Sequence, residues 1–204
     1  MAVPTFLALG DSYTIGEGVP TAGRWPVQLV ARLRERGVQV DDPRIVATTG
    51  WTTDELSAAM DAEALRGSFG LVTLLIGVNN QYRGRPATEY RKEFLALLHR
   101  AIALAGDPRR VIVVSIPDWG VTAFAEGRER AQIGSDIDTF NAIARDEATR
   151  AHARWADVTP ASREAGAKPG MLVEDGLHPS AAQYAMWVGV ILPLAQAALG
   201  ELRR

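Results

Sequence analysis

Cysteine is absent from this chain of 204 residues, which excludes disulfides, thiolate nucleophiles, iron–sulfur clusters and cysteine-held zinc. Lysine is nearly absent. Lys92 and Lys168 are the only two, and neither follows a glycine-rich loop, so a Walker-type phosphate loop is excluded as well. The three histidines, His99, His152 and His178, form no close pair of the kind zinc uses. A metal-dependent hydrolase is therefore the weakest enzymatic reading, and no metal or cofactor is expected. An excess of one charge is lacking too: 22 basic residues face 24 acidic ones, which offers nucleic acid or anionic lipid no broad attractive field. The first nine residues have no basic cluster ahead of their apolar run, unlike a secretory leader, so the cytoplasm is the default location.

One long apolar stretch needs separate weighing. Residues 181–200 carry no charge and are about long enough to cross a bilayer. Gln183, Pro193 and Gln196 interrupt them, however, and alanine supplies much of their bulk. Tyr184, Trp187, Val188, Ile191 and Leu194 recur at helical spacing, which predicts a core helix and no stable membrane insertion.

With 47% hydrophobic and 23% charged residues the composition is that of a globular protein, and the length predicts one domain over residues 1–204. Strand-like apolar runs at residues 5–9, 44–48, 71–76, 111–116 and 154–158 alternate with helical patterns at 25–36, 53–65, 88–104, 137–152 and from about 181. That alternation predicts an α/β fold with a parallel sheet covered on both faces. Thr52 with Glu55, and Ser135 with Asp138, fit the reciprocal capping box at helix starts. Five such strands most often form an open doubly wound sheet of order 2-1-3-4-5, with ligands beyond the carboxyl ends of the strands.

The post-strand loops are therefore the places to look for chemistry. They contain Gly10-Asp11-Ser12, Thr49-Gly50-Trp51-Thr52 and Gly77-Val78-Asn79-Asn80. In that strand order their starts lie within about 10 Å of one another. A hydroxyl, an unobstructed backbone amide and a carboxamide would then converge, which is what acyl transfer needs: a nucleophile, and N–H donors aimed at the oxyanion. A serine also needs a base. His99 falls among Leu97, Leu98 and Ile102 in a helical pattern, and His152 ends one, whereas His178 stands in the turn Asp175-Gly176-Leu177-His178-Pro179-Ser180. Asp175 is spaced to orient that imidazole. Each residue alone also has a plainer reading: Ser12 as a helix cap, Gly50 as a packing glycine, Asn79-Asn80 as a turn, and the His178 turn as a helix start capped by Ser180.

Together these residues resemble the SGNH hydrolases, the superfamily of GDSL esterases and lipases. Gly10-Asp11-Ser12 matches its first block, Gly50 its second, Gly77-Val78-Asn79 its third, and Asp175 with His178 its last; the neutral Asn80 stands where the third block usually has an aspartate. No Gly-x-Ser-x-Gly elbow of the α/β-hydrolases is present. The resemblance implies a three-layer, flavodoxin-like sandwich and a serine esterase acting on a small-molecule acyl ester. It would make Ser12, Asp175 and His178 the catalytic triad, and Ser12, Gly50 and Asn79 the oxyanion hole. Trp51, Asn80, Tyr82 and Trp119, with Phe124, are candidates for substrate binding, and residues 117–134 for a lid or rim. The alternative is a noncatalytic flavodoxin-like module binding an anion or nucleotide at the loop of residues 10–18. The absence of lysine there and the acidic Asp11 and Glu17 disfavour it.

Overall fold

The computed structural model describes residues 3–166 and 168–200. In chain order the strands and helices are β1 (Phe6–Gly10), α1 (Ser12–Ile15), α2 (Trp25–Glu35), β2 (Pro43–Ala47), α3 (Thr53–Ala62), β3 (Leu71–Leu75), α4 (Val78–Tyr82), α5 (Ala87–Ala105), β4 (Val111–Val114), α6 (Arg130–Arg150), β5 (Arg154–Ala156), α7 (Thr159–Ala165) and α8 (Ala181–Gly200). All five strands pair in parallel in the order β2-β1-β3-β4-β5. The central strands β1, β3 and β4 are buried along their whole length, because helices cover both faces: α2 and α8 on one, α3, α5 and α6 on the other. This is the three-layer α/β fold with the strand order that the sequence pattern predicts.

The register is what aligns the loops. Gly10 is level with Ala47 of β2 and with Leu75 of β3, so the three strands stop at one height and their following loops start side by side. Gly10 itself has no room for a side chain, since a Cβ there would sit 2.2 Å from Thr14 Oγ1 and 2.5 Å from the Leu75 carbonyl oxygen.

The apolar C-terminal segment forms the 20-residue helix α8, long and apolar enough by composition to cross a membrane. In the fold it buries Tyr184, Trp187 and Ile191 completely, packing against α2 and the sheet. The capping box at Thr52 is present, with the Thr52 amide donating to Glu55 Oε2 at 2.9 Å. The expected box at Ser135 is not: α6 begins at Arg130, more than a turn earlier, and the Ser135 carbonyl accepts from Thr139 Oγ1 inside the helix. Strands β4 and β5 each end two residues before their apolar runs do, because side chains take over the backbone groups. The Ile116 amide donates to Asn141 Oδ1 at 2.7 Å, and the Val158 amide to Ser115 Oγ at 2.7 Å.

Candidate active site

Where β1 ends, Asp11 caps the single turn α1, accepting the Tyr13 amide on Oδ1 at 3.0 Å. This fixes Ser12 as the first residue of the turn, with its amide unused by any acceptor among the described residues. Trp25 Nε1 donates to the Tyr13 carbonyl at 3.1 Å and anchors the same turn from below. The second oxygen of Asp11 is buried without a partner, and burial pushes the carboxyl up to about 7.

After β2 the chain turns at Gly50, whose φ of +88° is left-handed backbone that side-chain-bearing residues rarely adopt. Space is not the constraint, since a Cβ there would meet nothing nearer than Arg83 Nη2 at 3.9 Å. That guanidinium donates to the Gly50 carbonyl at 2.7 Å, while the Gly50 amide donates to nothing among the described residues. Thr49 Oγ1 donates to Glu17, tying the second loop to the first.

After β3, Asn79 donates one amide hydrogen from Nδ2 to the Trp51 carbonyl at 2.9 Å, which aims the carboxamide and leaves its other N–H for a ligand. Asn80 does different work. It is fully buried and lies outside the cleft, accepting the Thr53 amide on Oδ1 at 3.1 Å and donating from Nδ2 to Thr53 Oγ1 at 2.7 Å, while that hydroxyl donates to Glu93. An aspartate could not donate to the Thr53 hydroxyl and would compete with Glu93 for its proton. Trp51 is likewise outside the cleft, its side chain lining a separate surface depression with Glu55 and Ala58.

The fourth piece arrives from the far edge of the sheet. In the turn before α8, Asp175 Oδ1 accepts the amides of Leu177 and His178 at 2.8 and 2.9 Å, and Oδ2 lies 2.6 Å from His178 Nδ1. One carboxylate thus shapes the turn and orients the ring. Partial burial works against the Asp175 charge, but the His178 ring and the two amides outweigh it and hold the carboxyl below its ordinary range. The ring packs against Tyr13, with centroids 5.7 Å apart.

Ser12, Gly50, Asn79 and His178 are the polar part of the lining of a cleft of about 180 Å³. The apolar part is formed by Val78, Tyr82, Trp119, Phe124 and Leu177. Trp119 is fixed by its Nε1 donating to Gln81 Oε1 at 2.9 Å. Phe124 is fixed by its amide donating to the Gly176 carbonyl at 3.0 Å, so the long loop after β4 is pinned to the histidine turn. Sequence reasoning missed Arg128, which stands over three of these lining rings, its guanidinium carbon 4.9 to 5.6 Å from the ring centroids of Phe124, Trp119 and Tyr82. An arginine in the long loop over residues 115–129 carries no signal of that placement. Among the described residues no group of three or more acidic or histidine side chains stands together as a metal site.

A family model described as GDSL-like lipase/acylhydrolase matches residues 8–186. The chain belongs to that family. It is thereby a hydrolase of the ester-cleaving class, and its substrates fall among small-molecule esters. No curated protein sequence matches it significantly. Among solved structures it is similar to TesA (22% identity, TM-score 0.75, covering 96% of this chain and 99% of that one). It is also similar to Axe2, an acetyl xylan esterase from Geobacillus stearothermophilus (19% identity, TM-score 0.73, 94% of each chain). A third similar structure is the psychrotrophic esterase EstA from Pseudoalteromonas sp., inhibited by monoethylphosphonate (16% identity, TM-score 0.72, 98% of this chain and 100% of that one). At these identities the likeness shows the shared fold.

Proposed function

We propose that this family member is a serine esterase with Ser12 as nucleophile, His178 as general base and acid, and Asp175 as the group that orients and charges-compensates the imidazole. Because Asp175 holds Nδ1, the neutral ring carries its proton there and leaves Nε2 free to take the Ser12 hydroxyl proton. The serine oxygen then adds to the ester carbonyl. The carbonyl oxygen becomes an oxyanion held by the amides of Ser12 and Gly50 and by the spare N–H of Asn79. As the tetrahedral species collapses, His178 returns its proton to the departing alcohol. Water, deprotonated by the same nitrogen, cleaves the acyl-serine and restores the enzyme.

The observation that carries this reading is the meeting, in one cleft, of Ser12, two unused backbone amides and an imidazole already paired through its far nitrogen. The phosphonate-inhibited state of the similar EstA accords with it, since a phosphonate imitates the tetrahedral oxyanion. The test is acid-quenching of the enzyme during turnover of p-nitrophenyl acetate, followed by peptide mass mapping. An acetyl group on Ser12 is expected; full activity with no acylated serine at any time point would contradict the mechanism.

A further inference from the structure

Over three of the rings that line the cleft stands a cation with no anion. Tyr82, Trp119 and Phe124 form a cup, with ring centroids 5.5, 6.0 and 6.4 Å apart. The Arg128 guanidinium lies over all three faces, nearest Phe124 at 4.9 Å. Cation–π attraction of this kind holds a guanidinium in place while leaving its N–H donors unspent. Most arginines nearby are satisfied: Arg83 by Glu55 and the Gly50 carbonyl, Arg130 by the Gly120 carbonyl, Arg163 by Asp118 and Asp138. The Arg128 guanidinium donates to no acceptor and pairs with no carboxylate among the described residues, although Glu126 and Glu129 are its near neighbours in the chain. Three rings replace water on one face of the ion, which strengthens a charge-assisted bond formed on the other.

We propose that Arg128 and its aromatic cup form an anion subsite that selects esters carrying a carboxylate or phosphate group away from the scissile bond. The proposal rests on the serine-esterase reading for its position in the reaction but not for its binding step. A cationic ligand is the wrong partner, since it would have to expel Arg128 from the cup and lie beside it. The guanidinium fork matches the oxygens of both carboxylate and phosphate, so the probes carry each in turn.

The experiment compares two pairs of esters: the mono-p-nitrophenyl ester of adipic acid against its neutral methyl ester, and 4-acetoxyphenyl phosphate against its neutral dimethyl ester. For at least one pair the charged member should have the higher kcat/KM by about ten to a hundredfold, the range expected of a bond to a charged group. Arg128→Gln should collapse that ratio towards one, and Arg128→Lys should keep part of it. The same charged probes are titrated calorimetrically into Ser12→Ala with and without Arg128→Gln, where a similar loss of affinity is expected without any turnover. A charged-to-neutral ratio that Arg128→Gln leaves intact, or no preference for either charged probe, overturns the subsite. So does a gain towards neutral esters alone in Arg128→Gln, which would make the side chain a plug. If every ester is inert but the titrations show the Arg128 effect, the subsite stands and the serine-esterase reading is what fails.

Discussion

The short loops after β1, β2 and β3 and the long loop after β4 meet at the same cleft, yet they are held there by different means. The short loops are placed by backbone. Strand register levels Gly10, Ala47 and Leu75, a one-turn helix presents Ser12, and Gly50 is turned outward by left-handed dihedrals. The long loop is placed by side chains, through Trp119 on Gln81 and the Phe124 amide on the Gly176 carbonyl, and it leaves Tyr82 and Phe124 partly open to solvent. Backbone placement tolerates little change in geometry, whereas a cup of rings can be redressed by substitution. Chemistry thus falls to the part of the cleft that the sheet levels, and recognition to the part where the long loop brings Trp119 and Phe124 against Tyr82 of α4.

That division can be broken by substitution in each part. Ser12→Ala should have the largest effect, lowering kcat on p-nitrophenyl acetate about a millionfold; residual activity within tenfold of the parent would remove the serine from the mechanism. Asn79→Ala should lower kcat by about a hundred to a thousandfold with a much smaller change in KM, as loss of one oxyanion donor does, and steady-state kinetics separate the two parameters. In the apolar part, Phe124→Ala removes part of an exposed apolar wall and should raise KM for p-nitrophenyl butyrate by about fivefold while kcat holds. A fall in kcat as large as that of Asn79→Ala would erase the distinction between the parts.

The last test reads stability, where the other three read turnover, and concerns the residue behind the nucleophile. Burial raises the Asp11 carboxyl from its ordinary 3.8 to about 7, so between those values the folded chain binds more protons than the unfolded one. Its contribution to stability is complete below the lower value and is lost as pH rises towards the higher. Asp11→Asn keeps an oxygen for the Tyr13 amide and has no proton to lose. Urea midpoints measured across this range should therefore fall with pH in the parent and fall less in the variant; parallel slopes would contradict the burial argument.

How much was legible in the sequence depended on whether the signal was local. The five strands and their order could be read because apolar runs of β-branched residues alternate with helical spacing, and α8 because Tyr184, Trp187 and Ile191 repeat on one face. The loops bearing Ser12, Gly50 and Asn79, and the Asp175–His178 turn, could be read because their residue types are unusual in combination and their positions follow from the strand order. The short helices α1, α4 and α7, of four, five and seven residues, are too short to show periodicity. The start of α6 was misread because Ser135 and Asp138 fit a capping pattern that the helix, already under way from Arg130, does not use. Asn80 and Trp51 sit beside site residues in the chain but face Thr53 and a separate depression in space, and adjacency along a loop says nothing about direction. Arg128 meets Tyr82 only because the loop after β4 crosses the end of α4, 46 positions away in the chain, which no local pattern records.

The most direct test is covalent. A fluorophosphonate incubated with the folded protein and located by peptide mapping should modify Ser12 alone, and His178→Ala should slow that labelling by several orders of magnitude because the hydroxyl loses the base that activates it. Modification at a different residue, or labelling of Ser12 at an unchanged rate without the imidazole, would show that the two groups do not work together.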